Sequence, residues 1–140
     1  MNYGYKGCLD KLAEHWEAME KKGIMCPVSG IFLHSRSKNS LGSLLIQHTG
    51  AFLMDLAGVL MDKRLGGIRT GGLPYYKVNG YTARRVIYYH DEFMWECDPE
   101  ISDYILQCGI DSIKEAAIIM GIRVPIGADG KIGMNWKEVH

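Results

Sequence analysis

The chain has 140 residues, 47% apolar and 23% charged, a composition that predicts one globular soluble domain and excludes a disordered chain. Its net charge is zero, but residues 1–90 hold 12 Lys and Arg against 6 Asp and Glu, and residues 91–140 hold 4 against 10. That asymmetry points a polyanion at the first part, while the zero total excludes a grip on nucleic acid by charge alone.

In chain order, residues 9–22 predict an amphipathic helix, with Leu9, Leu12, Trp16 and Met19 at helical spacing and Gly23 as its stop. Residues 24–35 predict a short hairpin turning at Val28-Ser29-Gly30. Residues 40–65 predict a long, mostly buried helix capped by Ser40. Gly42, Gly50 and Gly58 on it suggest close approach of another backbone or a ligand. Gln47, His48 and Asp55 interrupt its apolar run, so it does not read as a membrane span. Residues 66–74 are a Gly-rich connector without phosphate-loop spacing. Residues 84–89 and 93–97 predict two strands, residues 99–120 a third helix, and Ile122 to Ile126 a short strand before a turn-rich tail. The fold class is α+β, an antiparallel sheet packed on long helices.

Start and composition show no targeting signal, and no pair among Cys8, Cys26, Cys97 and Cys108 has metal or redox spacing. Free thiols in a reducing, cytoplasmic compartment are expected. The five His residues show no zinc-hydrolase spacing.

Two constellations carry chemistry. His90-Asp91-Glu92 sits between two apolar strands, where a tight turn normally uses Gly or Asn-Gly. Asp91 and Glu92 repel each other unless a cation is near, and hard carboxylate oxygens suit magnesium. Asn39, Ser43 and Gln47 recur at i, i+4, i+8, with Arg36 before them. Such donors can read the acceptors that every base pair offers in a minor groove.

Together these segments resemble family A DNA polymerases of the bacteriophage type. Val86–Cys97 is similar to motif C of that family, commonly written V-H-D-E. Arg36-Ser37, then Gln47 and Gly50-Ala51, look like its R-S…Q-x-x-G-A element. The tail Gly130-Lys131-Ile132-Gly133-Met134-Asn135-Trp136, ending at His140, is similar to the phage enzymes' G-K-x-G-x-N-W…H terminus. The likeness runs from about Val28 to His140, so residues 1–23 read as a helical lead-in and 24–140 as the core of an incomplete palm subdomain in a single domain.

The resemblance implies that Asp91 binds catalytic magnesium, or manganese in its place, and that Glu92 supports the metal site. It implies that His90 contacts the primer strand, and that Arg36, Asn39, Ser43 and Gln47 track the minor groove of primer–template DNA. Ser43 stands where the family has Asn, which shortens one contact, and Tyr89 replaces the Val before His-Asp-Glu. His140 reads as a docking terminus. The family's first metal-binding Asp and the fingers Lys and Arg that hold the incoming dNTP have no counterpart in these residues. Two-metal transfer needs ions about 3.5–4 Å apart, which one acidic turn cannot hold. The expectation is therefore one part of a split DNA polymerase, completed by a second polymerase chain. The alternative is a non-catalytic DNA-binding or polymerase-partner module.

Overall fold

The structure, a computed structural model, describes residues 3–66 and 75–139. Most of the Gly-rich connector, the first two residues and His140 lie outside the described residues. The order is α1 (Tyr3–Ala18), β1 (Gly23–Met25), β2 (Phe32–His34), a 3-10 turn (Lys38–Ser40) and α2 (Leu41–Leu65). Then follow β3 (Tyr75–Val78), β4 (Tyr81–Tyr89), β5 (Glu92–Cys97), a 3-10 turn (Pro99–Ile101), α3 (Ser102–Ile119) and α4 (Trp136–Val139). The α+β class with antiparallel sheets and long helices is as the patterning implies. By contacts the chain gathers into two compact units, Met1–Phe52 and Leu53–His140. The division falls inside α2.

In the first unit, Trp16, Ile24, Cys26, Leu33 and Leu41 form the core, with Leu12, Leu44 and Leu45 against it. β1 and β2 pair antiparallel, Gly23 opposite His34. α1 begins and ends earlier than its apolar spacing predicts. Glu20 and Lys21 take positive φ (54° and 59°), and the Lys21 amide donates to the Trp16 carbonyl, which closes the helix end without glycine. Gly23 serves the hairpin instead. A Cβ there would run into the Leu33 carbonyl oxygen, so the close approach of β2 requires its bare backbone.

The second unit is one three-stranded sheet, in the order β3-β4-β5, with helices on one face. Met61, Leu65, Tyr76, Ala83, Ile101, Ile105 and Cys108 form one cluster of its core. Leu53, Met54, Ala57, Ala116 and Ala117 form another, joined by Phe93, Ile122 and Ile126. Fully burying a side chain such as Met61 or Ile105 stabilises the unit by roughly 2 kcal/mol. The α2 helix is long and apolar enough to cross a membrane by length and composition alone. Leu41, Leu53, Met54, Ala57, Met61 and Leu65 enter the cores just described, while Ile46 and Val59 stay exposed, so the helix is less buried than its apolar run predicts.

Two expectations are corrected. β3 was absent from the reading of the sequence. It pairs with β4 through the Asn79-Gly80 turn, where both residues take positive φ (52° and 88°), as a type I′ turn requires. Ile122–Ile126 is not a strand. Pro125 lacks an amide to pair, and Ile122 and Ile126 pack into the core as irregular chain. All four cysteines are free.

Candidate functional site

The acidic turn is tighter than the sequence suggests. Tyr89 pairs directly with Glu92, so the loop is His90-Asp91 alone and Glu92 is the first residue of β5. His90 takes a positive φ of 52°, a conformation that costs a non-glycine residue about 1–2 kcal/mol. The Tyr89 and His90 rings meet edge-on, with centroids 4.1 Å apart. Asp91 is exposed and makes no ion pair or side-chain hydrogen bond among the described residues. Its carboxylate is free to take a ligand.

The stem of this hairpin holds a β-bulge. Arg85 pairs with Trp95 and Ile87 with Met94, which leaves Val86 as an extra residue on β4. Pleat alternation therefore changes parity at Val86. Ala83, Arg85 and Tyr88 share the helix-facing side with Cys97, Trp95 and Phe93. Arg84, Ile87 and Tyr89 share the outer side with Glu96, Met94 and Glu92. Glu92 thus stands on the outer face of the ladder, beside Tyr89.

Three contacts tie the inner side down. The Arg85 guanidinium lies over the Phe93 ring at 5.2 Å and the Trp95 ring at 5.9 Å. A Cβ on Gly58 of α2 would come within 2.7 Å of that guanidinium, so the close approach expected at this glycine is to Arg85. Gly50 has no such neighbour. The Tyr88 hydroxyl donates to Asp55 of α2 at 2.9 Å. Burial first, and then the Asp55 carboxylate, push the Tyr88 phenol up to about 12. Neither Arg85 nor the Tyr88–Asp55 bond was found in the sequence. Arg85 in a period-2 apolar run was the available signal.

In the first unit, a serine network builds the approach to α2. Ser35 is buried and its hydroxyl donates to the Ser37 carbonyl at 2.9 Å, while the Ser35 and Ser40 hydroxyls lie 2.9 Å apart. The Asn39 amide donates to the Ser37 hydroxyl at 3.2 Å, so Ser37 and not Ser40 is the cap. This loop presents Arg36 and Asn39 to solvent. Asn39 lies in the 3-10 turn, outside the α-helical spacing that relates Ser43 to Gln47. Ser43 donates to the Ser40 carbonyl at 3.0 Å, which commits its one proton to the helix start. Arg36, Asn39 and Gln47 are exposed, and their side chains make no hydrogen bond or ion pair among the described residues. They remain available as donors.

Among the described residues, no three His, Cys, Asp or Glu side chains converge as a metal would need. Asp91 offers hard oxygen donors suited to magnesium, and further ligands would come from water or another chain. No protein-family model matches this chain, and no curated protein matches it either.

Proposed function

We propose that this chain is the carboxyl-terminal palm portion of a family A-like DNA polymerase, working with a second chain that completes the active site. The observation that carries the proposal is the free Asp91 carboxylate on a two-residue turn between paired strands. His tolerates positive φ better than most residues, and here it stands in that conformation beside an unpaired acid. In this reading Asp91 would be one ligand of a magnesium ion, which when bound would supply positive charge toward the transferring phosphoryl group. His90 lies against the primer end, and Glu92 adds negative charge beside the turn. Arg36, Asn39 and Gln47 donate to minor-groove acceptors, and Ser43 adds little. Fingers, incoming dNTP and the other metal-binding acid belong to the partner.

The test is primer extension by the assembly of this chain with its completing chain. Asp91→Ala should lower nucleotide addition on the order of 10³-fold and leave primer–template binding unchanged. Synthesis retained by that variant removes the metal role.

A second reading is a non-catalytic duplex-binding module. It is supported by three exposed, unpaired donors around the start of α2. It expects the isolated chain to bind duplex DNA at low salt, with affinity falling as salt rises. Absence of binding at low salt dismisses it.

A further inference from the structure

The first unit holds a cleft of about 620 Å³, lined by α1, by the β1–β2 hairpin and by the start of α2. That volume lies in the range of small-ligand sites. Two contacts hold its walls. At Gly42 of α2 a Cβ would come within 3.1 Å of the Leu9 side chain, so the close approach expected at this glycine is made by α1. Further along α1, the Met25 amide of β1 donates to His15 Nε2 at 3.3 Å.

Leu12, Met25, Pro27 and Leu45 give the cleft an apolar lining. Met25 is 39% exposed, so this lining faces open space and not packed core. Leu12 and Leu45 pack against the buried cluster of Trp16 and Cys26, which fixes them in place. The polar groups come from α1. Lys11 and His15 stand at i and i+4, so they share one face of the helix, one turn apart. Lys11 makes no ion pair or side-chain hydrogen bond among the described residues. An amide donates only to an unprotonated ring nitrogen, so His15 keeps its proton on Nδ1 and has one N–H left to give.

Chemistry selects the ligand. The apolar lining takes a hydrocarbon body, because water leaves both surfaces when they meet. An unpaired ammonium and an imidazole N–H, one turn apart, suit the two oxygens of a carboxylate. Among the described residues, no Asp or Glu lines the cleft, so no acid of its own answers Lys11 there. Asp10 and Glu14 flank Lys11 along α1 and are exposed, which limits the head group to a single negative charge. We infer that this cleft binds a medium-chain aliphatic monocarboxylate, its alkyl chain on Leu12, Met25, Pro27 and Leu45 and its carboxylate against Lys11 and His15. The site lies wholly in the first unit, and it stands or falls separately from the polymerase reading.

The probe is decanoate, with decanol as the same chain lacking the charge. Binding is read on the full chain from the NMR signal of the Met25 methyl group, assigned through Met25→Leu. Decanoate should shift that signal with a Kd on the order of 100 µM. Hexanoate should bind about tenfold more weakly or worse, since it has fewer methylenes to bury. Lys11→Glu should weaken decanoate about tenfold and leave decanol unchanged, with the other methionine signals in place. Gly7 also lines the cleft, and a Cβ there meets nothing within 4 Å. Gly7→Phe should therefore fill the cleft and abolish binding of both probes. The Met134 methyl, 83% exposed in the tail, should not move. The inference is overturned if decanoate leaves Met25 unmoved, or if Lys11→Glu binds decanoate undiminished or loses decanol equally. It is overturned too if Gly7→Phe still binds, or if Met134 shifts together with Met25, the mark of unspecific adsorption.

Discussion

The sheet of the second unit contains two tight turns, and they are built from opposite materials. Asn79-Gly80 joins β3 to β4 with residues that enter left-handed backbone at little cost. His90-Asp91 joins β4 to β5 at the same loop length, with His90 held at a φ of 52°. The backbone demands differ: Asn79 and Gly80 both take positive φ, whereas in the second turn His90 alone does. The first turn is optimised for stability. The second accepts strain of about 1–2 kcal/mol and presents an unpaired carboxylate. Strain and free charge placed together are what the proposed metal role draws on.

Exchanging the turns sharpens that contrast. Writing the first turn into the second, His90→Asn with Asp91→Gly, should lower primer extension by the assembled enzyme on the order of 10³-fold. The same variant should change little in urea unfolding, since Asn relieves the left-handed cost at position 90 while Gly at 91, where φ is not positive, adds backbone entropy to the unfolded chain. Loss of both stability and synthesis would mean that His90-Asp91 is structural. The reverse exchange, Asn79→His with Gly80→Asp, should cost about 2 kcal/mol in the same assay and leave synthesis untouched, because Gly80 at a φ of 88° has no strain-free replacement.

Much of this arrangement is legible in the sequence. The α2 boundaries follow from a long apolar face, and β4 and β5 from their aromatic and β-branched runs. What the sequence hides is parity. Counting alternate residues along 84–89 assigns one face throughout, but Val86 shifts the count, and only the partner strand reveals the shift. Pairing is hidden in the same way. Tyr75–Val78 is too short to stand out beside a Gly-rich stretch, although Asn79-Gly80 is a strong hairpin signal. Ile122–Ile126 has strand-like residues and no strand beside it. Of the candidate site, residue types were readable. The commitment of Ser43 to the Ser40 carbonyl and the tie from Tyr88 to Asp55 were not.

The smallest expected effect concerns how the His90-Asp91 turn is braced. The Tyr88–Asp55 bond ties β4 to α2 one residue before Tyr89 closes the turn. Because the folded state keeps the phenol protonated up to about pH 12, this contribution is complete below pH 10, the ordinary tyrosine value. It is lost as pH rises from 10 toward about 12, where the unfolded chain releases the proton first. Urea midpoints measured across that window should fall, and Tyr88→Phe should flatten part of the fall. An unchanged slope in the variant would show that the brace carries no stability.

The extra residue at Val86 has a consequence for how this hairpin can vary. The bulge can absorb the loss of one stem residue: without Val86 the ladder runs regularly, Arg85 opposite Trp95 and Ile87 opposite Met94, and every face beyond it is kept. Tyr88 would still meet Phe93 on the helix-facing side, and Tyr89 would still close the turn with Glu92. Stem length can therefore shrink by this one residue without moving the turn.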